Sequence, residues 1–193
     1  KDPVQDQDAA TKAYVDNVAA AGITYHSPVV AASTDTMANV TGGTITYTQP
    51  NGAGNGVGAK LTTTGSFNLI DTANVQTVGT RILVKNEANA VYNGVYTYAN
   101  TTTIVRSTDT DEYGPNSVEQ LSVNDYFFVQ NGNVNKGTSY VCTTQGTITF
   151  GTTAITFSQF STSQVYSAGT GLTLTNTTFR ISNTAVTAGA YGS

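Results

Sequence analysis

Short segments in which apolar and hydroxyl side chains alternate recur along the middle of this chain, and Gly, Asn or Asp separates them. Residues two apart in a strand share one face, so this alternation is typical of strands with one buried face. Such strands at regular intervals favour an antiparallel sandwich or barrel. We expect strands at residues 60–64, 81–85, 94–98, 103–107, 125–130, 139–144 and 153–160.

Two neighbouring signals fit the same architecture. Ile45 and Tyr47 alternate with threonines in a further strand-like segment, and a Gly-rich stretch, residues 49–56, predicts a wide loop after it. Asn131 and Gly132 follow the apolar segment that starts at Asp125, and both residue types tolerate a positive φ. They predict a turn. Strands do not alternate with helices along the sequence, so nothing in it suggests a parallel sheet.

The composition favours a mainly β protein with polar faces. Threonine is abundant, with 36 residues, and charged residues make up 10% of the chain, against roughly 25% in ordinary soluble domains. β-branched and aromatic side chains fit a pleated surface. Hydrophobic residues reach 38%, which is too many for a disordered chain.

The charge of the chain excludes some partners. The formal net charge is −4, and the eight basic residues are scattered with no two adjacent. Nucleic acid binding needs clustered Lys and Arg to displace counterions, so we expect no nucleic acid partner. No apolar segment approaches the ~18 residues of a membrane span, and the polar start of the chain predicts no signal peptide. We therefore expect no membrane insertion.

Residues 1–22 are predicted to contain one helix, from Asp8 to about Ala21. Asp8 is a suitable N-cap, and Ala10, Tyr14 and Val18 form an apolar stripe with roughly heptad spacing. A helix of this length is marginal alone in water, so it must pack on something. Two options stay open: it docks on its own domain, or it forms a short parallel bundle with copies of itself.

The remainder divides into a β-sandwich domain, residues 23–162, and a C-terminal β-rich segment, residues 163–193. In the latter a turn separates two short apolar strands. A lone hairpin buries too little surface to be stable, and symmetry-related copies can complete it. These patterns predict a short helix, a central antiparallel β-sandwich and a C-terminal hairpin region that other copies complete. The candidate residues for contacts between copies are Ala10, Tyr14, Val18, Leu172, Leu174, Phe179 and Ile181.

Several blocks of the chain resemble tail fibres of tailed bacteriophages. DAATKAYVD at residues 8–16 looks like a short helix that recurs in these fibres. AGTGLTLT at residues 168–175, with FRI at 179–181, is similar to a second fibre element, and AVTAGAYGS at 185–193 resembles the opening of a third. RILVK at 81–85, NGVY at 93–96, VRSTD at 105–109 and TAITFSQF at 153–160 are similar to blocks of a fibre or adhesin domain, in the same order.

The resemblance touches nearly the whole chain and implies an elongated homotrimer on the virion tail, with no cofactor or catalytic residues in the helical and central modules. With it, the predicted fold is a trimeric N-terminal helical bundle, a central antiparallel β-sandwich and an intertwined C-terminal hairpin region, and we expect no metal site. Its expected partners are its own copies, other tail or baseplate proteins, and host cell-surface glycans. The expected role is structural and adhesive, in attachment of the virion to the host. Two alternatives remain: a fibre-borne glycan depolymerase, and a surface adhesin encoded by a bacterium or a prophage.

Some residues suggest chemistry that must be weighed against ordinary structural roles. Asp109, Asp111 and Glu112 form an acidic group that could hold Ca²⁺ or supply the acid and base of a glycosidase. The spacing before Gly114 is also ordinary turn chemistry, which we favour. His26 is the only candidate base for a catalytic triad, but its Gly22–Pro28 surroundings read as a linker, and we interpret it as a partly exposed structural histidine.

Three further features have ordinary explanations. Cys142 is the single cysteine, lies in an alternating segment and is predicted to be a buried apolar side chain. The Gly-rich residues 52–58 lack the Lys and the helix of a phosphate-binding loop. Five tyrosines could stack on sugar rings, although packing within the core or between subunits is the simpler role. They are Tyr92, Tyr96, Tyr98, Tyr113 and Tyr126.

Overall fold

The computed structural model describes residues 22–111, 120–161, 172–175 and 178–181. The described residues up to 161 belong to one compact unit, and those from 172 belong to a second. The predicted boundary between residues 162 and 163 lies outside the described ranges. The protein is mainly β, as predicted, and the described helix content is a single short α-helix and one 3-10 turn.

The first unit contains twelve strands in the described residues. They are β1 (Thr24–Tyr25), β2 (Ala31–Ala32), β3 (Ile45–Thr48), β4 (Lys60–Thr63), β5 (Leu69–Ile70), β6 (Ala73–Asn74), β7 (Arg81–Val84), β8 (Gly94–Asn100), β9 (Thr103–Arg106), β10 (Asp125–Phe128), β11 (Ser139–Cys142) and β12 (Phe157–Ser161). Helix α1 is Met37–Thr41, and the 3-10 turn is Ala90–Tyr92.

A six-stranded sheet in the order β2-β7-β8-β9-β4-β3 forms the larger layer. Its neighbours are antiparallel except for the parallel pair β2 and β7. One face packs under α1 and the β5–β6 hairpin, where Met37, Phe67 and Ile70 cover Ile82 and Tyr96. Because β7 also has Leu83 on the opposite face, its side chains are buried on both sides.

A four-stranded sheet in the order β1-β10-β11-β12 packs on the opposite face of β7 and β8. β1 is parallel to β10, β10 is antiparallel to β11, and β11 is antiparallel to β12. The layer between the two sheets is apolar and fully buried. It comprises Val29, Ala32, Leu83, Val95, Leu121, Phe127, Val129, Tyr140, Cys142, Ile148, Phe150 and Ile155. The burial of Cys142 confirms its predicted role.

The predicted strand positions are largely confirmed. β4, β7, β8, β9, β10 and β11 begin at the predicted residues, and β12 begins four residues later than expected. The prediction of a purely antiparallel sandwich is wrong for two pairs, since each sheet includes one parallel edge pair. The turn predicted at Asn131 and Gly132 is part of a longer β10–β11 connection, although Gly132 does have a positive φ of 123°.

The second unit includes a two-stranded antiparallel hairpin, β13 (Leu172–Thr175) and β14 (Thr178–Ile181). Leu172 pairs with Ile181, and Leu174 pairs with Phe179. These four residues therefore share one face of the hairpin, because directly opposed residues point to the same side. The predicted hairpin is confirmed, and Leu172 is exposed within the single chain.

Candidate functional site

Residues 22–33 join the two sheets, and this segment positions the features described below. β1 adds to the four-stranded sheet, Val29 then forms a parallel bridge with Val129, and β2 adds to the six-stranded sheet. The N–H of Val29 donates to Phe128 O at 2.9 Å, whereas the N–H of Val30 donates to Arg81 O at 2.8 Å. One strand thus changes sheets within two residues, as strands do at the corners of sandwiches.

His26 lies at this crossing, between two carboxylates. Its Nδ1 is 3.4 Å from Asp109 Oδ2, and its Nε2 is 3.2 Å from Asp125 Oδ2. The contact with Asp125 is an ion pair that does not meet the geometry of a hydrogen bond. The imidazole also stacks on the Phe127 ring at 4.8 Å. The predicted partial exposure of His26 is confirmed, since the residue is intermediate in burial and its side chain is 10% exposed. The predicted linker is wrong, because β1 and β2 on either side of His26 pair with the two sheets.

The two carboxylates determine the charge of His26. Burial by itself lowers the pKa of the imidazole, but Asp109 and Asp125 together outweigh that effect and raise the pKa to about 9. Burial likewise raises the pKa of Asp109, but its contacts with His26, Arg81 and Ser107 prevail and hold the pKa well below its usual range. His26 is therefore a cation at neutral pH, and Asp109 is an anion.

Asp109 is held by Arg81 of β7 as well as by His26, which follows β1. Arg81 Nη1 donates to Asp109 Oδ1 at 2.7 Å, and the Ser107 hydroxyl donates to the same oxygen at 2.6 Å. Asp125 is buried and accepts a hydrogen bond from the N–H of Ser122 at 2.8 Å. We call His26, Arg81, Asp109 and Asp125 the charge cluster. It ties the crossing strand to both sheets, and the sequence analysis did not foresee it.

The acidic group of the sequence analysis is not gathered into one site among the described residues. Asp109 belongs to the charge cluster, Asp111 is buried, and Glu112 lies outside the described residues. Within the described ranges there is no group of three His, Cys, Asp or Glu side chains arranged to hold a metal ion. A general acid needs a raised pKa, whereas the contacts of Asp109 hold its pKa low.

Arg106 is a second charged residue that the sequence analysis missed. It is fully buried, donates from Nη1 to Asn93 O at 3.0 Å, and donates from Nη2 to Val91 O at 3.2 Å. Its guanidinium lies over three rings, the nearest being Phe150 with a centroid distance of 4.4 Å. Gly94 has a φ of 145°, and a Cβ there would collide with Arg106 Nη1. The residue at 94 must therefore be small for this arginine to fit.

The outer face of the four-stranded sheet carries aromatic side chains. Tyr25 and Tyr126 are paired in register with ring centroids 5.0 Å apart, and Phe160 meets the Tyr126 ring edge-on at 5.7 Å. Phe128 lies two residues after Tyr126 and is exposed on the same face. We call Tyr25, Tyr126, Phe128 and Phe160 the aromatic face. Tyr25 is 74% exposed and Phe160 is 55% exposed.

Charge is absent from this face. The four strands of the sheet contain one charged residue, Asp125, and it points to the interior. The hydroxyls of Tyr126 and Ser139 are bonded to each other at 2.5 Å. The sequence pattern does place Tyr126 and Phe128 on one face, but only the sheet order brings Tyr25 and Phe160 beside them.

The other tyrosines proposed as sugar platforms have different positions. Tyr96 and Tyr98 are buried in the six-stranded layer, which confirms core packing for these two. Tyr92 is half-buried and stacks on Tyr47 with ring centroids 4.8 Å apart. Tyr113 lies outside the described residues. Of the four that lie in the described residues, Tyr126 alone belongs to the aromatic face.

The predicted trimer interface residues stay predictions. Ala10, Tyr14 and Val18 lie outside the described residues. Leu172, Leu174, Phe179 and Ile181 share one face of the hairpin by register, and of their side chains the structure describes that of Leu172. The Gly-rich segment is a loop, as expected, in which Gly54 forms a bridge with Phe150.

Comparison with known proteins gives this chain no relatives. No protein-family model, no curated protein and no solved structure matches it significantly. In the described residues, no helix combines the length and the apolar character needed to cross a membrane.

Proposed function

We propose that this chain is a structural and adhesive segment of the tail fibre of a tailed bacteriophage. In this proposal it works as a homotrimer on the virion tail, is linked to other tail or baseplate proteins, and contributes to attachment of the virion to the host cell surface. Exposed loops that touch host glycans would act together, because many weak contacts on one particle add through multivalency.

The observation that carries the proposal is the direction of the two edge strands of the four-stranded sheet. β1 is parallel to β10, and β12 is parallel to β10 because both are antiparallel to β11. The polypeptide therefore enters this sheet at one end and leaves it at the opposite end. Domain termini are often close together. A domain within a fibre needs the reverse arrangement, with the chain passing through from one end to the other.

The hairpin β13–β14 supports the same proposal. Isolated two-stranded hairpins are marginally stable in water and need a further layer. Leu172 is exposed and pairs with Ile181, and the apolar pair Leu174 and Phe179 lies on the same side of the hairpin by register. Copies of the same hairpin around a three-fold axis would supply the missing cover.

Solution mass measured by light scattering tests the proposal. We expect about three times the 20.1 kDa chain mass, maintained on dilution to low micromolar concentration. A stable, compact monomer would contradict the fibre proposal. Binding to arrays of bacterial capsule and lipopolysaccharide glycans then tests the adhesive role, and the same modules on a bacterial or prophage adhesin would be separated by genomic neighbourhood.

The depolymerase alternative gains no support from the charge cluster. A glycosidase needs one carboxyl that stays protonated and a second that stays ionised. Asp109 is paired with two cations, and its pKa is held low. Release of reducing sugar from host polysaccharide that is abolished by Asp109→Asn or Asp111→Asn would restore this alternative.

A further inference from the structure

The aromatic face has side chains that proteins usually bury, yet one chain leaves them in contact with water. Its four rings lie side by side on one sheet rather than scattered over the surface. Single exposed apolar residues are ordinary, whereas contiguous exposed patches mark sites of interaction. The face lies on hydrogen-bonded strands of one sheet, three of its four rings being in contact with one another.

We propose that the aromatic face is the surface through which the sandwich domains of neighbouring copies of this chain contact each other. The partner is a second copy of the same chain, around the axis of the trimer. This inference rests on the proposed function, since it names the surface that the trimer would bury.

The position of the face in the fold supports this assignment. The chain enters the sandwich through β1 and leaves it through β12, which are the two edges of this sheet. The flanking segments, residues 1–22 and 163–193, are the ones that we expect sister copies to complete. Copies joined on both flanks are tethered at both edge strands of this sheet, and Tyr25 and Phe160 lie on those strands.

The chemistry of the face also fits a copy of itself. Close to a three-fold axis, equivalent residues of the copies meet, so a charge there would meet the same charge in a poorly solvated contact. The chain has a net charge of −4, but this face contributes none of it. Aromatic side chains are enriched and charged side chains are depleted in the buried centres of interfaces.

A host sugar is the rival occupant, and the polar groups of the face fit it less well. Sugar sites combine an aromatic platform with convergent polar groups that bond the ligand hydroxyls. On this face the hydroxyls of Tyr126 and Ser139 already bond each other. The arrangement offers mainly flat apolar surface, which fits a second sheet better than a polar ring.

Thiol labelling of the full chain tests the inference. Tyr25→Cys is compared with Val78→Cys, because the parent side chains are 74% and 76% exposed, and Phe160→Cys is compared with Leu69→Cys, because both are 55% exposed. Cys142 is buried, and burial raises the pKa of its thiol. Cys142 should therefore not be labelled, and the unsubstituted chain gives the background labelling. Iodoacetamide uptake is followed by mass spectrometry, with the solution mass recorded for each variant.

We expect Tyr25→Cys and Phe160→Cys to react at least about tenfold more slowly than their controls, which corresponds to about 1.4 kcal/mol of protection. Loss of the trimeric mass in these two variants alone would also support the inference. Equal rates in a protein of trimeric mass would overturn it and leave the proposed function intact, and slowing only on addition of host glycan would assign the face to a sugar. A monomeric mass for the unsubstituted chain would overturn both.

Discussion

The two sheets of the sandwich differ in how completely one chain covers them. The central strands of the six-stranded sheet are buried on both faces, with the four-stranded sheet on one side and α1 and the β5–β6 hairpin on the other. Among the described residues, the four-stranded sheet is covered on its inner face only. Its outer face is apolar nevertheless, with Tyr25 and Phe160 more than half exposed.

The difference separates two sources of stability. Even a charged side chain, that of Arg106, is enclosed on the six-stranded sheet. Its guanidinium donates hydrogen bonds to two carbonyl oxygens and lies over three aromatic rings. Folding of a single chain satisfies these groups. On the outer face of the four-stranded sheet, single-chain folding forms ring contacts but leaves Tyr25 and Phe160 more than half exposed, so apolar surface stays available for association. Substitutions in the first region should affect folding, and those in the second should affect assembly.

The largest expected effect is that of Gly94→Ala in the six-stranded sheet. The new Cβ would require a φ of 145° that alanine rarely adopts and would collide with Arg106 Nη1. We expect the free energy of unfolding to fall by about 3–5 kcal/mol, as in the disruption of a buried network. Urea denaturation followed by circular dichroism measures it.

Gly79→Ala is the matched control for this substitution. Gly79 also has a positive φ, of 88°, but has nothing within 4 Å of the added Cβ. It should therefore cost about 1–2 kcal/mol, from the backbone strain alone. Equal losses for Gly79→Ala and Gly94→Ala would show that Arg106 does not set the requirement at position 94.

The charge cluster should give the next largest effect. Asp125→Ala leaves the His26 cation buried without its nearest carboxylate and removes the acceptor for the N–H of Ser122. We expect a loss of about 3 kcal/mol in the free energy of unfolding, because breaking a buried ion pair leaves an uncompensated charge. Asp125→Asn keeps the acceptor and removes the charge, so it should lose less. Equal loss in both variants would assign the whole effect to the ion pair.

The sequence predicts the strands of this fold much better than its sheets. Six strands begin at the predicted residue because each has its own period-two pattern and its own turn residues. β1 and β2 were missed because each has two residues and pairs in parallel with a strand far along the chain. Pro28 between them favoured a linker. Parallel partners leave no local turn signal, so the crossing from one sheet to the other was not predictable.

The charge cluster was hidden from the sequence for the same reason. His26 and Asp125 are 99 residues apart, and only the pairing of β1 with β10 brings them together. Asn124 immediately before Asp125 has a positive φ, of 71°. An asparagine directly before a strand is the local sequence signal that indicates a constrained turn here. The sequence places Asp109 in an acidic group, but it does not predict that Arg81 and His26 contact this residue.

The pH dependence of stability should show a moderate effect from the same cluster. Folding raises the pKa of His26 from 6.5 to about 9, so its contribution is complete below pH 6.5 and is lost as the pH rises through about 9. We expect a loss of about 2 kcal/mol in the free energy of unfolding across this window. Urea denaturation at a series of pH values measures it, and NMR titration of the imidazole gives the pKa directly.

His26→Gln is the control for the pH series. This variant should be less stable at pH 6 and should lack the loss between pH 6.5 and 9, since no imidazole titrates. Asp109 adds the opposite dependence at low pH: folding lowers its pKa, so its contribution is present above the ordinary carboxyl range and declines as the pH falls through that range. If the free energy of unfolding depends on pH identically in His26→Gln and the parent, titration of His26 does not cause the loss between pH 6.5 and 9.

The smallest effect on folding, and the sharpest test of the comparison, is expected on the aromatic face. Phe160→Thr removes an exposed ring and keeps a β-branched residue in β12. Leu69→Thr is its control, since Leu69 lies in β5 with the same 55% exposure. Exposed substitutions usually change the free energy of unfolding of one chain by about 0.5 kcal/mol or less. We therefore expect both variants to keep the parent circular dichroism spectrum, while only Phe160→Thr dissociates at higher protein concentration in light scattering. Equal dissociation of the two variants would mean that the four-stranded sheet meets water on its outer face in the assembled protein, and that the contrast between the sheets has another cause.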